Sequence, residues 1–379
     1  MFARWFDQQR RRPIGRSRRR PLRALQIEVT SRCTRRCSIC PRSELADRWQ
    51  RGDLDATAWH GVRPALERFR HVHLQGWGEP LLHGELRELV RDAHSAECEV
   101  GLTTNGDLLS EATDWIITEQ VDLVVVSIAG DTTGHARFRD QAQITRVWEA
   151  VSGLVRGRGR SNRRPRVKIS YLLTADNADE LPSAVTAAAE AGADELYVTH
   201  LDVTPSTHLA RWAAFDDAGL RPGVPDAIKA AAVAARGAGI AFRGPPLESE
   251  DMLVCALDPT LTVFVGWDGR VAPCVNLLLP TRGPIPRASG DTVEEITPVV
   301  FGNVHTTPLT EILDGPEFAR FTAPLRARRA AEARFLGSIV GHGAALLDRI
   351  ERADVIRERE FAAAPFPPAC CGCHKAHGW

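Results

Sequence analysis

The stretch LQIEVTSRCTRRCSIC, residues 25–40, runs a short apolar and β-branched segment directly into three thiols, Cys33, Cys37 and Cys40. In parallel α/β folds, the loop at the C-terminal end of a strand is where chemistry is placed. With nine cysteines in 379 residues, offsets of +4 and +7 arise by accident about once in two hundred such chains. A structural zinc site closes with four protein ligands, so three thiols leave a position for something else. A 4Fe-4S cluster held by three cysteines keeps one iron free to bind a ligand. A zinc loop completed by a distant ligand is the alternative.

The rest of the chain limits the setting. Apolar residues make up 44% and charged residues 25%, enough for one large domain and a smaller one. Net charge is +0, and only Lys168, Lys229 and Lys375 are lysines among the 48 basic residues. Such an Arg bias is compositional, and the Arg-rich segment RRRPIGRSRRR is read as a solvated tail rather than a nucleic-acid arm. No signal-peptide pattern and no 18-residue apolar run occurs, so a cytoplasmic, membrane-free protein with reduced thiols is expected.

Working outward, short strand-like runs recur at 25–30, 71–76, 99–104, 122–128, 167–173 and 195–200. Helical segments such as GELRELVRDAHSA, RVWEAVSGLVRG and ADELPSAVTAAAEAG lie between several of them. This alternation predicts a parallel α/β sheet with a working face at the strand C-termini.

On these residues the sequence resembles the radical S-adenosylmethionine (SAM) superfamily, whose C-x3-C-x2-C loop, here CTRRCSIC, follows the first strand of a partial (β/α)6 TIM-type barrel. The resemblance extends to GWGEP after the second strand, where Gly78 and Glu79 would contact the methionine amino group. It extends to TNG after the third strand, with Asn105 at the mouth, and to SIAGD after the fourth, where Ser127 would meet a ribose hydroxyl. Ile39 takes the place beside the adenine often held by an aromatic residue, and Ala129 stands where many relatives carry Asp. His200, at the end of the sixth strand, is a candidate substrate contact or acid/base group. Cys98, at the opposite end of the third strand, is read as a packing residue.

A second cysteine group lies toward the C-terminus. FVGWDGRVAP reads as a hairpin turning at Asp268-Gly269 between Cys255 and Cys274. The C-x13-G-x4-C spacing resembles the opening of a SPASM domain, and FGNVHTTPLTEILDGPEFARF resembles its middle. The resemblance, in the shortened form called Twitch, implies a second, auxiliary 4Fe-4S cluster on Cys255, Cys274, Cys370 and Cys373; an exchange of Cys370 for Cys371 stays open. A four-cysteine zinc site has the same spacing.

The expected organisation is a basic lead-in at 1–24, a barrel at 25–205, a helical connector at 206–250 and a smaller C-terminal α+β auxiliary domain at 251–379. A charged helical insertion is expected at 325–363, divided at GHG. The resemblance implies reductive cleavage of SAM to a 5'-deoxyadenosyl radical, which takes hydrogen from an unactivated carbon. Oxidative tailoring of a peptide or specialised metabolite, by dehydrogenation or crosslinking, is the expected outcome. A reductant such as flavodoxin or ferredoxin is implied, and a peptide substrate would call for a separate leader-binding protein. The stretch GWDGRVAPCVNLLLP is also similar to that in maturases of tungsten oxidoreductases. A redox-neutral epimerase or decarboxylase, a tRNA-modifying enzyme and a non-enzymatic electron carrier are the competing readings.

Overall fold

The computed structural model describes residues 20–139, 143–159, 164–216, 219–249, 252–338 and 346–378. Six strands, β1 (Leu22–Ile27), β2 (Phe69–Leu74), β3 (Glu99–Thr104), β4 (Leu123–Ile128), β5 (Arg166–Leu172) and β6 (Glu195–Thr199), lie side by side in sequence order, all parallel. All six coincide with the expected runs to within a few residues. The β4 sequence LVVVSI is buried almost throughout, as a parallel strand covered on both faces requires. The covering helices show the matching period: Leu86, Leu89, Val90 and Ala93 of helix Leu86–Ser95 are its buried residues, spaced to form one apolar stripe.

Strand pairing differs from expectation at both edges. A two-strand hairpin, β7 (Phe215–Asp216) and β8 (Gly219–Leu220), and helix Val224–Ala238 lead to β9 (Ala241–Arg243), which pairs parallel to β6. The connector is therefore part of the main sheet as well as helical. At the other edge β10 (Thr262–Val265) pairs parallel to β1, and β11 (Arg270–Ala272) folds back on it through a turn with Gly269 at φ +79°. The Asp268-Gly269 hairpin thus forms where expected, and it also closes the open edge of the barrel sheet. An unpaired edge exposes a row of backbone donors and acceptors; segments outside the barrel satisfy both.

The auxiliary region continues as an antiparallel hairpin, β12 (Ile285–Ser289) with β13 (Thr292–Ile296), and β14 (Gly302–Asn303), which pairs with β11. Two helices follow, Pro316–Ser338 and Leu346–Ala363. The first begins nine residues before the expected insertion, and GHG lies outside the described residues. Arg328 on that helix stacks on Phe361 and Phe366 and donates to the carbonyls of Met252 and Leu253, at 2.9 and 2.8 Å. The pair is thereby fastened to the segment that leads into Cys255. At the other terminus β1 begins at Leu22, so the end of the expected lead-in belongs to the sheet; residues 1–19 lie outside the described residues.

Candidate functional site

Each expected barrel residue is delivered by the C-terminal end of a strand. Cys33 and Cys37 lie in the loop after β1, and Cys40 precedes Pro41, the first residue of the short helix Pro41–Glu44. The Cys40 amide donates to the carbonyl of Cys37 at 3.1 Å, which curls the loop. Gly78 approaches this loop so closely that a Cβ there would stand 2.2 Å from the Thr30 carbonyl oxygen and 2.5 Å from that of Arg32. The next amide, that of Glu79, donates to the Arg32 carbonyl at 2.8 Å.

Glu79 is 1% exposed, and its carboxylate accepts from the Asn105 amide at 2.7 Å and the Leu81 amide at 3.2 Å. Burial pushes its pKa up to about 7, against the lowering effect of those amides. Asn105 in turn donates from Nδ2 to Cys33 Sγ at 3.6 Å and to Thr34 Oγ1 at 3.0 Å. Ser127, at the end of β4, and the buried His200, just past β6, complete the ring. Cys33, Cys37, Ile39, Cys40, Gly78, Glu79, Asn105, Ser127 and His200 all line one cavity of about 230 Å3.

Other wall residues were not foreseen. Arg42 and Arg139 line the same cavity with buried Nε atoms that have no partner among the described residues. Arg35 makes a two-pronged ion pair with Asp107, which also accepts from Thr34 Oγ1 at 2.7 Å, so the cysteine loop is clamped to the loop after β3. An Arg two residues past the third Cys was visible in the sequence, but in so Arg-rich a chain it carried no signal of its own.

Glu28, 2% exposed at the end of β1, accepts from the Trp77 amide at 2.8 Å and from the Trp267 amide, joining GWGEP to the β10–β11 hairpin. Burial raises its pKa from 4.5 to about 8 despite those donors. A carboxyl raised on folding stays protonated while the unfolded chain ionises, so stability is lost as pH climbs from 4.5 toward 8, in total on the order of 5 kcal/mol. The thermal midpoint of Glu28→Gln, relative to wild type, should therefore rise steadily between pH 5 and pH 8. A gap independent of pH would show that Glu28 does not titrate in this interval.

The donor set suits an iron-sulfur cluster. Burial, followed by the charge of Cys37, raises Cys40 to about 11, and burial raises Cys33 as well. Thiolates held this way need a cation to form. In the auxiliary region, burial and then the neighbouring Cys373 raise Cys255 to about 11, while Cys274 and Cys370 are raised by burial and by the other thiols. Among the described residues no three His, Cys, Asp or Glu groups close around a single metal-ion position. Cys370 is buried and faces Cys274, Cys255 and Cys373, whereas Cys371 is exposed with Sγ 3.8 Å from the Phe366 and Pro367 carbonyls.

The two centres meet at the loop after β6. Asp202 in that loop pairs with Lys375 at 2.6 Å and stands 3.6 Å from His374, both immediately past Cys373. Burial opposes ionisation of Asp202, but Lys375 and His374 hold its pKa well below the usual carboxylate range. His200 packs edge-on against Phe215, which leans on His374. Burial, with the nearby His374 and Lys375 charges, drops His200 to about 3, so it is neutral, and neither ring nitrogen has a partner among the described residues.

A family model described as the radical SAM superfamily matches residues 27–199, and one described as an iron-sulfur cluster-binding domain, SPASM, matches 255–334. Among curated proteins, the chain is 26% identical over 315 residues to the tungsten-containing aldehyde ferredoxin oxidoreductase cofactor-modifying protein of Pyrococcus furiosus, covering 79% of this chain and 83% of that protein. It is 26% identical over 328 residues to pre-heme d1 synthase of Dinoroseobacter shibae, covering 80% of this chain and 77% of that protein. Among solved structures, Streptococcus suis SuiB bound to precursor peptide SuiA shares the fold, with a TM-score of 0.57 at 15% identity over 79% of this chain and 66% of SuiB.

Proposed function

The chain belongs to the radical SAM superfamily and carries a SPASM iron-sulfur cluster-binding domain, and from this premise we propose that it uses SAM to start oxidative tailoring of a peptide or specialised metabolite. The observation that carries the reading is the convergence of all nine expected barrel residues on one cavity, with the auxiliary cysteine segment tied to its wall through Asp202 and Lys375.

In this reading Cys33, Cys37 and Cys40 hold a 4Fe-4S cluster, and Cys255, Cys274, Cys370 and Cys373 hold an auxiliary one. When bound, the first would supply the single electron for reductive cleavage of SAM, whose C5'–S bond would break to methionine and a 5'-deoxyadenosyl radical able to take hydrogen from substrate. Glu79 receives the methionine ammonium: a carboxyl lifted to about 7 by burial ionises when a cation arrives beside it. Arg42 and Arg139 offer their unpartnered Nε–H groups to the methionine carboxylate. Ser127 takes the ribose hydroxyl and Ile39 lies against the adenine. His200, neutral and unpartnered, offers one donor and one acceptor to whatever occupies the cavity. Four cysteines at the auxiliary site leave no coordination position for substrate, so that site suits removal of an electron from the substrate.

The precursor peptide bound by SuiB supports a peptide substrate; the cofactor-modifying relative supports a small molecule. The test is anaerobic: reconstituted protein with dithionite and SAM should form 5'-deoxyadenosine, and Cys274→Ala should keep that formation while losing the auxiliary share of the iron and the ability to complete a product. An iron-replete protein that forms no 5'-deoxyadenosine would instead be an electron carrier. Normal product formation by Cys274→Ala would make the auxiliary site structural.

A further inference from the structure

Beside the SAM-side cavity lies a larger one, of about 810 Å3, and the two share Leu201, Asp202 and Val203 as a common wall. That volume falls in the range of small-molecule sites. It is built from the loop after β6, the β7–β8 hairpin region, the β12–β13 hairpin and the C-terminal cysteine segment.

Its polar groups are unevenly satisfied. Asp202 is paired with Lys375 at 2.6 Å, and Glu294 with Arg287 at 3.4 Å. Asp216 and Asp291 are exposed. Two arginines line the same wall: Arg211 is exposed, and Arg221 carries a buried Nε with no hydrogen-bond partner among the described residues. Asn276 is 4% exposed, yet neither its amide nitrogen nor its oxygen has a partner there. Buried polar groups are nearly always hydrogen-bonded, so an unpartnered carboxamide and guanidinium on one cavity wall mark groups kept for a ligand.

We propose that this cavity is the substrate chamber and that Arg211, Arg221 and Asn276 read a substrate carboxylate with an N–H or O–H donor beside it. The inference rests on the enzymatic reading above and names its substrate class. A guanidinium fork and a carboxamide N–H both donate to a planar carboxylate. The Asn276 oxygen is then left to accept from the neighbouring donor. Asp291, exposed on the same wall, disfavours a dianion and so favours a carboxylate over a phosphate ester. Asn276 lies two residues past Cys274, so a substrate held here sits between the SAM cavity and the auxiliary site.

The carboxylate can come from a peptide side chain or a small acid, and two probe pairs separate these. Cys371, exposed on the cavity wall, serves as reporter: its alkylation by iodoacetamide is followed by mass spectrometry in the anaerobic holoprotein without SAM. Hippurate is compared with hippuramide, and acetyl-Gly-Glu-Gly-Glu-Gly-amide with its Gln counterpart. Slower labelling is expected with a carboxylate probe and not with its amide; the arm that protects names the source. In Arg221→Gln and in Asn276→Leu the concentration giving half-protection should rise about tenfold or more. Arg211→Gln, at an exposed position, gives the same reading if either of those variants loses iron. Equal labelling with acid and amide in both arms, or protection unchanged in the variants, overturns the proposal. Because no SAM turnover is read, protection in a protein that forms no 5'-deoxyadenosine would uphold the chamber while the enzymatic reading fails.

Discussion

Replacing Cys33, Cys37 and Cys40 together by alanine is expected to lower the iron of the reconstituted protein from about eight to about four per chain, and to abolish 5'-deoxyadenosine formation. All three thiols line the SAM-side cavity, and the loop that carries them is fixed by contacts the substitutions leave in place. Arg35 keeps its ion pair with Asp107, and the Glu79 amide keeps the Arg32 carbonyl. The variant should therefore fold and retain the auxiliary iron. Iron unchanged by the triple substitution would defeat the assignment of the first site, and zinc recovered in place of iron at the C-terminal cysteines would defeat that of the second.

Gly78→Ala is expected to have the next largest effect, from a single methyl group. The added Cβ would meet two carbonyl oxygens at 2.2 and 2.5 Å. Both belong to backbone, so no rotamer change relieves the contact. Either GWGEP or the cysteine loop must move, at a cost of about 3 kcal/mol or more. The displacement should also lower cluster occupancy, because Asn105, held by Glu79, stands against Cys33. Gly84→Ala is the control, since a Cβ there meets nothing within 4 Å. Urea unfolding and iron analysis of the two variants should separate clearly; equal midpoints would mean that GWGEP does not brace the loop.

The contrast between these glycines shows what kind of information a sequence carries. GWGEP was legible as a motif in the right place, but its reading gave Glu79 a single duty toward a ligand. In the fold its carboxylate also holds the Asn105 and Leu81 amides, which ties the second and third strand ends together beneath the cysteine loop. Arg42, Arg139 and the Arg35–Asp107 clamp were illegible because composition masks them: where arginine is abundant, one more conveys nothing until its burial is known.

The sequence by itself determined the alternation of strands and helices, the positions of the six barrel strands, the Asp268-Gly269 turn and the two cysteine groups. These are properties of local spacing: strand and helix periods, turn chemistry and thiol intervals act over a few residues. Only the tertiary structure decided that β9 and β10 close the two open sheet edges, that Cys370 rather than Cys371 turns toward Cys255, Cys274 and Cys373, and that Asp202 meets Lys375. Edge pairing depends on which distant segment can satisfy a row of backbone groups. The choice between adjacent cysteines depends on which side of one turn faces the interior, and the Asp202–Lys375 pair joins residues 173 positions apart. Each is fixed by burial and long-range packing, quantities that exist only once the chain has closed on itself.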